Sequence, residues 1–460
     1  GYTYLYDKLA SCNNPEEACS AFSKKHGKKN IAVAVRYLHE QLTECLIHLK
    51  KENNAQDSIF KYITQANFFY KRFFINEAFD ALRKAKQLAK KHEQDILLML
   101  IRRVEIKYIT EIGFGELTEK EFVKKQTKLI ETQKYIRSTN MHMSLYSTLT
   151  YRLRNFDKIR SGKQKELLND LVLSELNLVS NNYYQGFEAK KLHLLFQAAY
   201  YLNTGSYKSA IRYYTELLNL FDKYEHLKQD PPIYYYSTLE GVINSLFNTG
   251  IYNEIPTFIE KLEELKKRDY PKSFLLEVES LIIFSQTQYF VHKGKFLAAK
   301  QFCSTYDSIF LKKSEALLPE YRLRLLLSFV VVYLHNGEIK EANKYMKKII
   351  RESKLFQLFP AYRTSRLLKL LIDAELSNFD LLDNDIRSIK RSIKKGQQIC
   401  QIEKIVCTFV QMYPIPKHEK TRSQLWKKLM RDIMIIREDK YERQVLNIFD
   451  FTNWIESKLT

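Results

Sequence analysis

A lone glycine recurs at nearly constant spacing along the middle of this chain, and each time it interrupts what would otherwise be one long helix. Four stretches align around it: LNTGSYKSAIRYYTEL (202–217), FNTGIYNEIPTFIEKL (247–262), VHKGKFLAAKQFCSTY (291–306) and LHNGEIKEANKYMKKI (334–349). Their glycines, Gly205, Gly250, Gly294 and Gly337, lie 45, 44 and 43 residues apart. A fixed period in this range predicts stacked helical hairpins.

The pattern around each glycine explains why a hairpin would form. Glycine adopts the left-handed conformation that releases the chain from the end of a helix. An apolar residue follows it by two positions, a small or apolar residue by five and another apolar residue by nine. A small side chain at plus five lets the second helix approach the first closely. The predicted packing residues of this kind are Ala78, Ala210, Ala299 and Ala342.

The repeated pattern continues before Gly205 and after Gly337 in the chain. Gly162 lies 43 residues before Gly205, and GELTEKEFVKKQTKLI (115–130) is a weaker match. Ala78 in the plus-five place puts Phe73 at the glycine place, and a downstream unit puts Phe379 there, 42 residues after Gly337. The sequence therefore predicts about eight hairpins.

These units resemble tetratricopeptide repeats. Residues 198–218 carry the small and aromatic residues of that family in its places, namely Ala199, Gly205, Tyr207, Ala210 and Tyr214. The period is about 44 rather than 34 residues, and the closing proline is mostly absent, as in the lengthened repeats of bacterial sensor and regulator proteins. The resemblance implies an all-α, right-handed superhelix of antiparallel hairpins, a TPR-like α-solenoid with terminal capping helices.

Three segments follow from this frame. Residues 1–56 form an N-terminal helical module and residues 57–412 the repeats. YPIPKHEKTRSQ (413–424) is a proline-containing polar linker that opens a C-terminal segment, 413–460, with two amphipathic helices. Capping of the stack is the favoured role for these helices. Dimerisation or docking of a partner is the alternative.

The composition fits this interpretation. The 460 residues include only 12 glycines and 9 prolines, which leaves few strand-and-turn connections. The formal net charge is +21. A basic excess can mark nucleic-acid or anionic-membrane binding, but the basic residues are spread over the whole length, which favours a compositional bias instead.

The sequence contains no pattern typical of catalysis or of a cofactor. GxxxxGK[ST], HExxH, GxSxG and CxxC are all missing, so we expect no enzyme activity, no cofactor and no metal. No apolar run reaches the length of a membrane span. With six cysteines and no CxxC pair, a reducing, cytoplasmic location is expected.

Two sets of residues are candidate binding surfaces. Tyrosines in adjacent pairs could line a groove, namely Tyr183, Tyr200, Tyr213 and Tyr235. A basic stripe recurs at helical spacing on one helix, namely Arg387, Lys390, Arg391, Lys394 and Lys395. Each set has a structural alternative. The aromatic rings can fill gaps between long helices, and the cations can offset a helix dipole.

The helical repeat, together with the lack of catalytic motifs in the sequence, favours a non-enzymatic scaffold or regulatory module. Such a module would bind a protein or peptide in a concave groove. A nucleic-acid-binding protein that uses its basic face is one alternative. The sensor portion of a larger regulator, whose effector domain lies outside this sequence, is another.

Overall fold

The computed structural model describes the chain in eleven stretches: 2–12, 15–27, 30–49, 55–155, 165–180, 185–228, 232–306, 313–357, 359–394, 401–439 and 442–460. Every long regular element in these stretches is an α-helix and none is a strand. The prediction of an all-α protein is confirmed. The chain divides into two compact units, residues 1–133 and 134–460, with the boundary inside a long helix. The three segments expected from the sequence stay a prediction.

The first unit contains six helices and the start of a seventh in its described part. They are α1 (Tyr2–Ser11), α2 (Pro15–His26), α3 (Ile31–Leu49), α4 (Ala55–Tyr70), α5 (Ile75–Lys91), α6 (Asp95–Glu111) and α7 (Glu119–Asn155). Helices α1 to α3 pack together around Leu5, Phe22 and Leu38. Helix α5 presents a stripe of buried alanines to α4, and because alanine has only a methyl group the two helices pack closely.

The second unit continues the helical pattern. Its described helices, after α7, are α8 (Asn169–Val179), α9 (Gly186–Asn203), α10 (Tyr207–Lys223), α11 (Ile233–Thr249), α12 (Ile255–Lys266), α13 (Lys272–His292), α14 (Phe296–Ser304), α15 (Pro319–His335), α16 (Ile339–Arg351), α17 (Ser353–Phe356), α18 (Pro360–Glu375), α19 (Phe379–Lys394), α20 (Gln401–Val410), α21 (Glu419–Glu438), α22 (Arg443–Leu446) and α23 (Phe451–Leu459). Helices α9, α11, α13, α15, α18 and α20 each pack against the next one in that series. Each of these six helices also packs against the helix that directly follows it.

One backbone turn recurs at the ends of the first helices. In it, a residue with positive φ donates its N–H to the carbonyl three positions back, and the next N–H reaches the carbonyl five positions back. This pair of hydrogen bonds is the Schellman motif, which satisfies carbonyls that a helix end leaves unpaired. The described examples at first helices have their left-handed residue at Phe73, Gly113, Gly205, Gly250, Gly294, Gly337 and Ser377, and the same turn with Glu93 ends the second helix α5. Gly162 lies outside the described residues.

The placement of Phe379 at the turn was wrong by two residues. Ser377 has φ +61° and makes the two turn hydrogen bonds, while Phe379 begins helix α19. With Ser377 at the glycine place, Leu382 falls at plus five and is buried; with Phe379 there, the exposed Asn384 would fall at that place. A serine hid the turn because only glycine marks left-handed backbone in a sequence.

The plus-five residues lie where the two helices of a hairpin meet. Ala78, Ala210, Ala299 and Ala342 have no exposed surface. A second close approach was not visible in the sequence pattern. Gly241, in the middle of α11, faces the ring of Tyr214, and a Cβ at this glycine would overlap that ring.

The C-terminal helices complete the core of the second unit. Helix α21 packs on α20, and α23 packs on both. Their buried side chains belong to the same apolar cluster as those of α15 and α18; they are Leu429, Ile433, Ile436, Phe449, Phe451, Ile455 and Leu459.

We expect Ser377→Gly to raise the free energy of unfolding by about 1 kcal/mol, because an L-residue pays a steric penalty in left-handed backbone that glycine does not pay. Urea denaturation measures the change. Ser174→Gly, in the exposed middle of α8, is the matched control and should lower stability by about 0.5 kcal/mol. A loss of stability in Ser377→Gly would contradict the assignment of the turn.

Candidate binding surface

The residue two positions before the left-handed residue occupies the same place in each repeat. In four successive repeats of the second unit these residues are Asn248, His292, His335 and Glu375, and they lie in the last turns of α11, α13, α15 and α18. We call these four residues the row. Their common place follows from the common turn, because the turn fixes where each first helix ends.

One segment of the same chain touches all four members of the row. The side chain of Asn447 donates to the side-chain oxygen of Asn248, and the ring of His292 is hydrogen-bonded to the backbone of Asn447. The ring of His335 lies 5.2 Å from that of Phe449, between ring centres. Lys458 Nζ is 2.6 Å from a carboxylate oxygen of Glu375. We call residues 447–458 the strap.

An aromatic ring from the preceding hairpin supports each histidine of the row. Tyr252 stacks on His292 with ring centres 4.9 Å apart, and Phe296 stacks on His335 at 4.5 Å. Both rings occupy the place two residues after a turn glycine, which the sequence predicts to be apolar. The two histidines are therefore held between a repeat ring on one side and the strap on the other.

This enclosure changes the charge of the two imidazoles. Burial lowers the pKa of His335 to about 4 and also lowers the pKa of His292, because a charged ring loses its hydration there. The Asp450 carboxylate acts in the opposite direction at both rings, but burial has the larger effect. Both rings are neutral at neutral pH.

Several polar atoms of the strap and of α13 near its row residue have no hydrogen-bond partner among the described residues. The amide of Gln288, one helical turn before His292, is buried with both its nitrogen and its oxygen unpaired. The Nε2 atom of His292 and the Nε1 atom of Trp454 are also buried and without a hydrogen-bond partner. Each such atom costs about 1–3 kcal/mol, so the strap contacts His292 without satisfying its Nε2 atom.

A charged cluster lies about three turns before the row on the same helices. Arg324 forms ion pairs with Glu240 of α11 and Glu320 of α15, and Glu320 is 2.6 Å from its guanidinium. Glu277 of α13 completes the cluster; its pKa is raised by burial and by the nearby charge of Glu240. Arg324 thus pairs with two carboxylates, and Glu277 lies near one of them, so the cluster has more acidic than basic groups.

No protein-family model, no curated protein and no solved structure matches this chain. The site must therefore be interpreted from its own geometry. The described residues contain no group of three or more histidine, cysteine, aspartate or glutamate side chains that could hold a metal ion. None of the described helices is both long enough and apolar enough to cross a lipid bilayer.

The predicted groove tyrosines do not form one surface. Tyr200 and Tyr235 are buried core side chains, so they cannot line an open groove. Tyr213 is partly buried and stacks on Tyr201 with ring centres 5.4 Å apart. Tyr183 lies outside the described residues. The pairs failed as a guide because adjacent helical residues point about 100° apart, and packing alone decides which of them is buried.

A shallow pocket lies beside Tyr235. It has about 200 Å³ of open space and is lined partly by Lys191 and Tyr234. The Lys191 ammonium lies 4.3 Å from the centre of the Tyr234 ring and 2.7 Å from the Glu188 carboxylate. Because the lysine that lines it is already paired with Glu188 and lies over Tyr234, this pocket is better explained as packing around that lysine.

The basic stripe is partly visible on α19. Arg387, Lys390 and Arg391 are exposed, and Ile386 and Ile389 are buried on the other side of the helix. No side-chain placement is described for Lys394, and Lys395 lies outside the described residues. The three described cations make no ion pair within the described part of the chain, so their charge is open to solvent.

The row was missed in the sequence although a signal for it was present. The four aligned stretches begin LNTG, FNTG, VHKG and LHNG, with Asn or His always two places before the glycine. A polar side chain that recurs at the end of an apolar helix indicates a surface that several repeats share. What the sequence did not reveal is that residues about 80 to 200 positions away in the chain would cover this surface.

We expect Arg324→Met to destabilise the protein by about 2 kcal/mol near neutral pH, since Glu240 and Glu277 would then be enclosed without their counter-charge. The pKa of these carboxyls would rise in the folded state, so the loss should be small at pH 5 and grow as the pH rises to 8. Urea unfolding at both pH values measures this.

Arg212→Met is the matched control for that variant. Its ion pair with Glu216 is exposed to solvent and should contribute less than 1 kcal/mol at either pH. An Arg324→Met loss that does not depend on pH would contradict the role given to the cluster.

Proposed function

We propose that this chain is a non-catalytic scaffold that binds a polypeptide segment along the row. The scaffold is a right-handed superhelix of about eight antiparallel hairpins, and the C-terminal helices cap it. A partner segment would lie across the ends of the first helices, where each repeat offers one polar side chain beside one aromatic ring.

The contact between the row and the strap carries this proposal. The fold already holds one polypeptide segment, with its residues 447–458 following the order of four repeats from Asn248 to Glu375. Repeat proteins commonly use such extended surfaces for binding. The unpaired amide of Gln288 and the unpaired nitrogen of His292 are groups that a backbone N–H or C=O of a partner could satisfy.

The acidic cluster, which lies about three helical turns from the row on the same helices, favours a partner segment with basic side chains over a nucleic acid. Glu240, Glu277 and Glu320 outnumber the single Arg324 beside them. Phosphate groups would be repelled there, whereas a segment with lysine or arginine side chains would be attracted.

A peptide of residues 445–454 is the direct probe of this function. We expect it to bind, by fluorescence polarisation, to the full chain carrying Phe449→Ala, in which the chain's own segment is loosened because a buried ring is lost. Adding Asn248→Ala and His292→Ala should weaken this binding at least 10-fold, because both contacts to Asn447 disappear.

Asn203→Ala is the matched control, since Asn203 holds the same place one repeat earlier and its described hydrogen bond is to Ala199 of its own helix. It should leave binding unchanged. Without saturable binding at millimolar peptide, or with equal weakening by the control, the proposal would fail.

Nucleic-acid binding is a second candidate, favoured by the three unpaired cations on α19. It predicts that Arg387→Gln, Lys390→Gln and Arg391→Gln together weaken binding of a labelled duplex at low salt. They should also reduce the slope of log affinity against log salt by roughly 2–3, one counterion per cation. Neutralising the exposed and scattered Lys208, Lys267 and Lys340 is the control. An equal effect of both triple variants would argue against a site on α19.

A further inference from the structure

The strap has two parts that are held differently. Helix α23 is anchored in the core by Phe451, Ile455 and Leu459, none of which is exposed. Residues 447–450 connect α22 to α23 and lie on the row. Among these four residues only Phe449 is fully buried. The connecting part is therefore held less firmly by the core than α23 is, and it is joined to α23 through Asp450, which accepts from the N–H groups of Thr452 and Asn453.

Both histidines of the row contact this connecting part. The ring of His292 meets the backbone of Asn447, and the ring of His335 meets that of Phe449. The charged or titratable groups around them are Asp450 on the strap, the other histidine, and Tyr252 stacked on His292. Two lysines lie one layer further out, Lys293 over the ring of Tyr252 and Lys458 over the ring of Trp454.

We propose that residues 447–450 form an acid-released clasp, in which protonation of His292 and His335 frees this part of the strap and opens the row to a polypeptide partner. This inference rests on the function proposed above, because it concerns the regulation of the same surface.

The hydrogen bonds show why a proton opposes the closed state. A neutral His292 donates one N–H to the carbonyl of Asn447, which leaves Nε2 as a buried acceptor without a partner. A proton on Nε2 would add a buried donor that finds no acceptor among the described residues. At His335 a charged ring would lose water between Phe296 and Phe449.

The sign of the pH effect follows from the lowered pKa values. A histidine whose pKa is lower in the closed state stabilises closure above pH 6.5 and opposes it as the pH falls below that value. For His335, with a pKa near 4 when closed against 6.5 when open, the closed-to-open ratio falls about 30-fold between pH 7.5 and pH 5. His292 acts in the same direction.

Trp454 offers a reporter that needs no ligand. The chain has two tryptophans, so Trp426→Phe leaves Trp454 alone. We expect its quenching by acrylamide to increase, and its emission to shift to longer wavelength, as the pH falls from 7.5 to 5.0. The far-ultraviolet circular dichroism should stay constant, because α23 and the repeats remain folded.

Variants identify the titrating groups. His335→Phe keeps an aromatic ring without a proton site and should abolish most of the change in quenching, and His335→Gln should do the same if the phenylalanine variant is unstable. His418→Phe, at an exposed histidine before α21, is the matched control and should leave the transition intact. An unchanged quenching constant across the pH range, or a transition that survives both His335 variants, would overturn the clasp.

Binding of the 445–454 peptide separates this inference from the proposed function. Because the peptide makes the same contacts with His292 and His335 as the strap does, weaker binding to the Phe449→Ala chain at pH 5 than at pH 7.5 supports the clasp. Peptide binding to the Phe449→Ala chain without any Trp454 transition would keep the function and reject the clasp. A Trp454 transition without peptide binding would reject the function and keep the clasp as a pH-dependent opening of the C-terminal segment.

Discussion

The left-handed turn that ends seven of the described first helices is the constraint on which the repeat depends. It satisfies two carbonyls that the helix would leave unpaired, and it reverses the chain within a few residues. Because the turn is the same in each repeat, the residues at fixed distances from it occupy the same environment. The residue five places later meets the first helix and is small in four repeats, whereas Ile255 and Leu382 fill this place in others. Gly241, where the ring of Tyr214 approaches the backbone, shows that a close approach can also be built within a helix.

The row also results from this equivalence of positions relative to the turn. Four side chains at one distance from the turn form a line of polar groups at the ends of apolar helices, and the rings of Tyr252 and Phe296 support two of them. Such a line can hold an extended segment because the repeats present their groups in the order of the chain. The strap follows this order, so the C-terminal residues serve both to complete the core and to cover the surface.

The free energy gained by burying side chains differs between the part of the C-terminal segment that completes the core and the part that covers the row. The apolar side chains of α23 are buried among core residues, and burying each one contributes roughly 1.5–3 kcal/mol, so this helix is a permanent part of the unit. The connecting residues bury a single large ring, that of Phe449, and leave the Nε2 atom of His292 unpaired. The free-energy difference between the closed and the released state of residues 447–450 is small enough that one or two protons can change which state is favoured. Burial makes the imidazoles of His292 and His335 sensitive to pH in this way, because their charge has no solvent to stabilise it.

By itself the sequence determined the helical class, the period and most of the turns. Glycine at a helix end and a small residue five places later are local requirements of the backbone, and they can be recognised without any tertiary contact. The turn at Ser377 shows the limit of that reasoning, since a serine adopts left-handed backbone just before a helix whose Leu382 and Ile386 are buried in the core. Only the tertiary structure decided which tyrosines are buried, that Arg324 joins α11 to α15, and that residues 447–458 lie on the row. These contacts join positions up to about 200 residues apart, and no local pattern encodes such a pairing because it depends on how the whole stack brings the helix ends together.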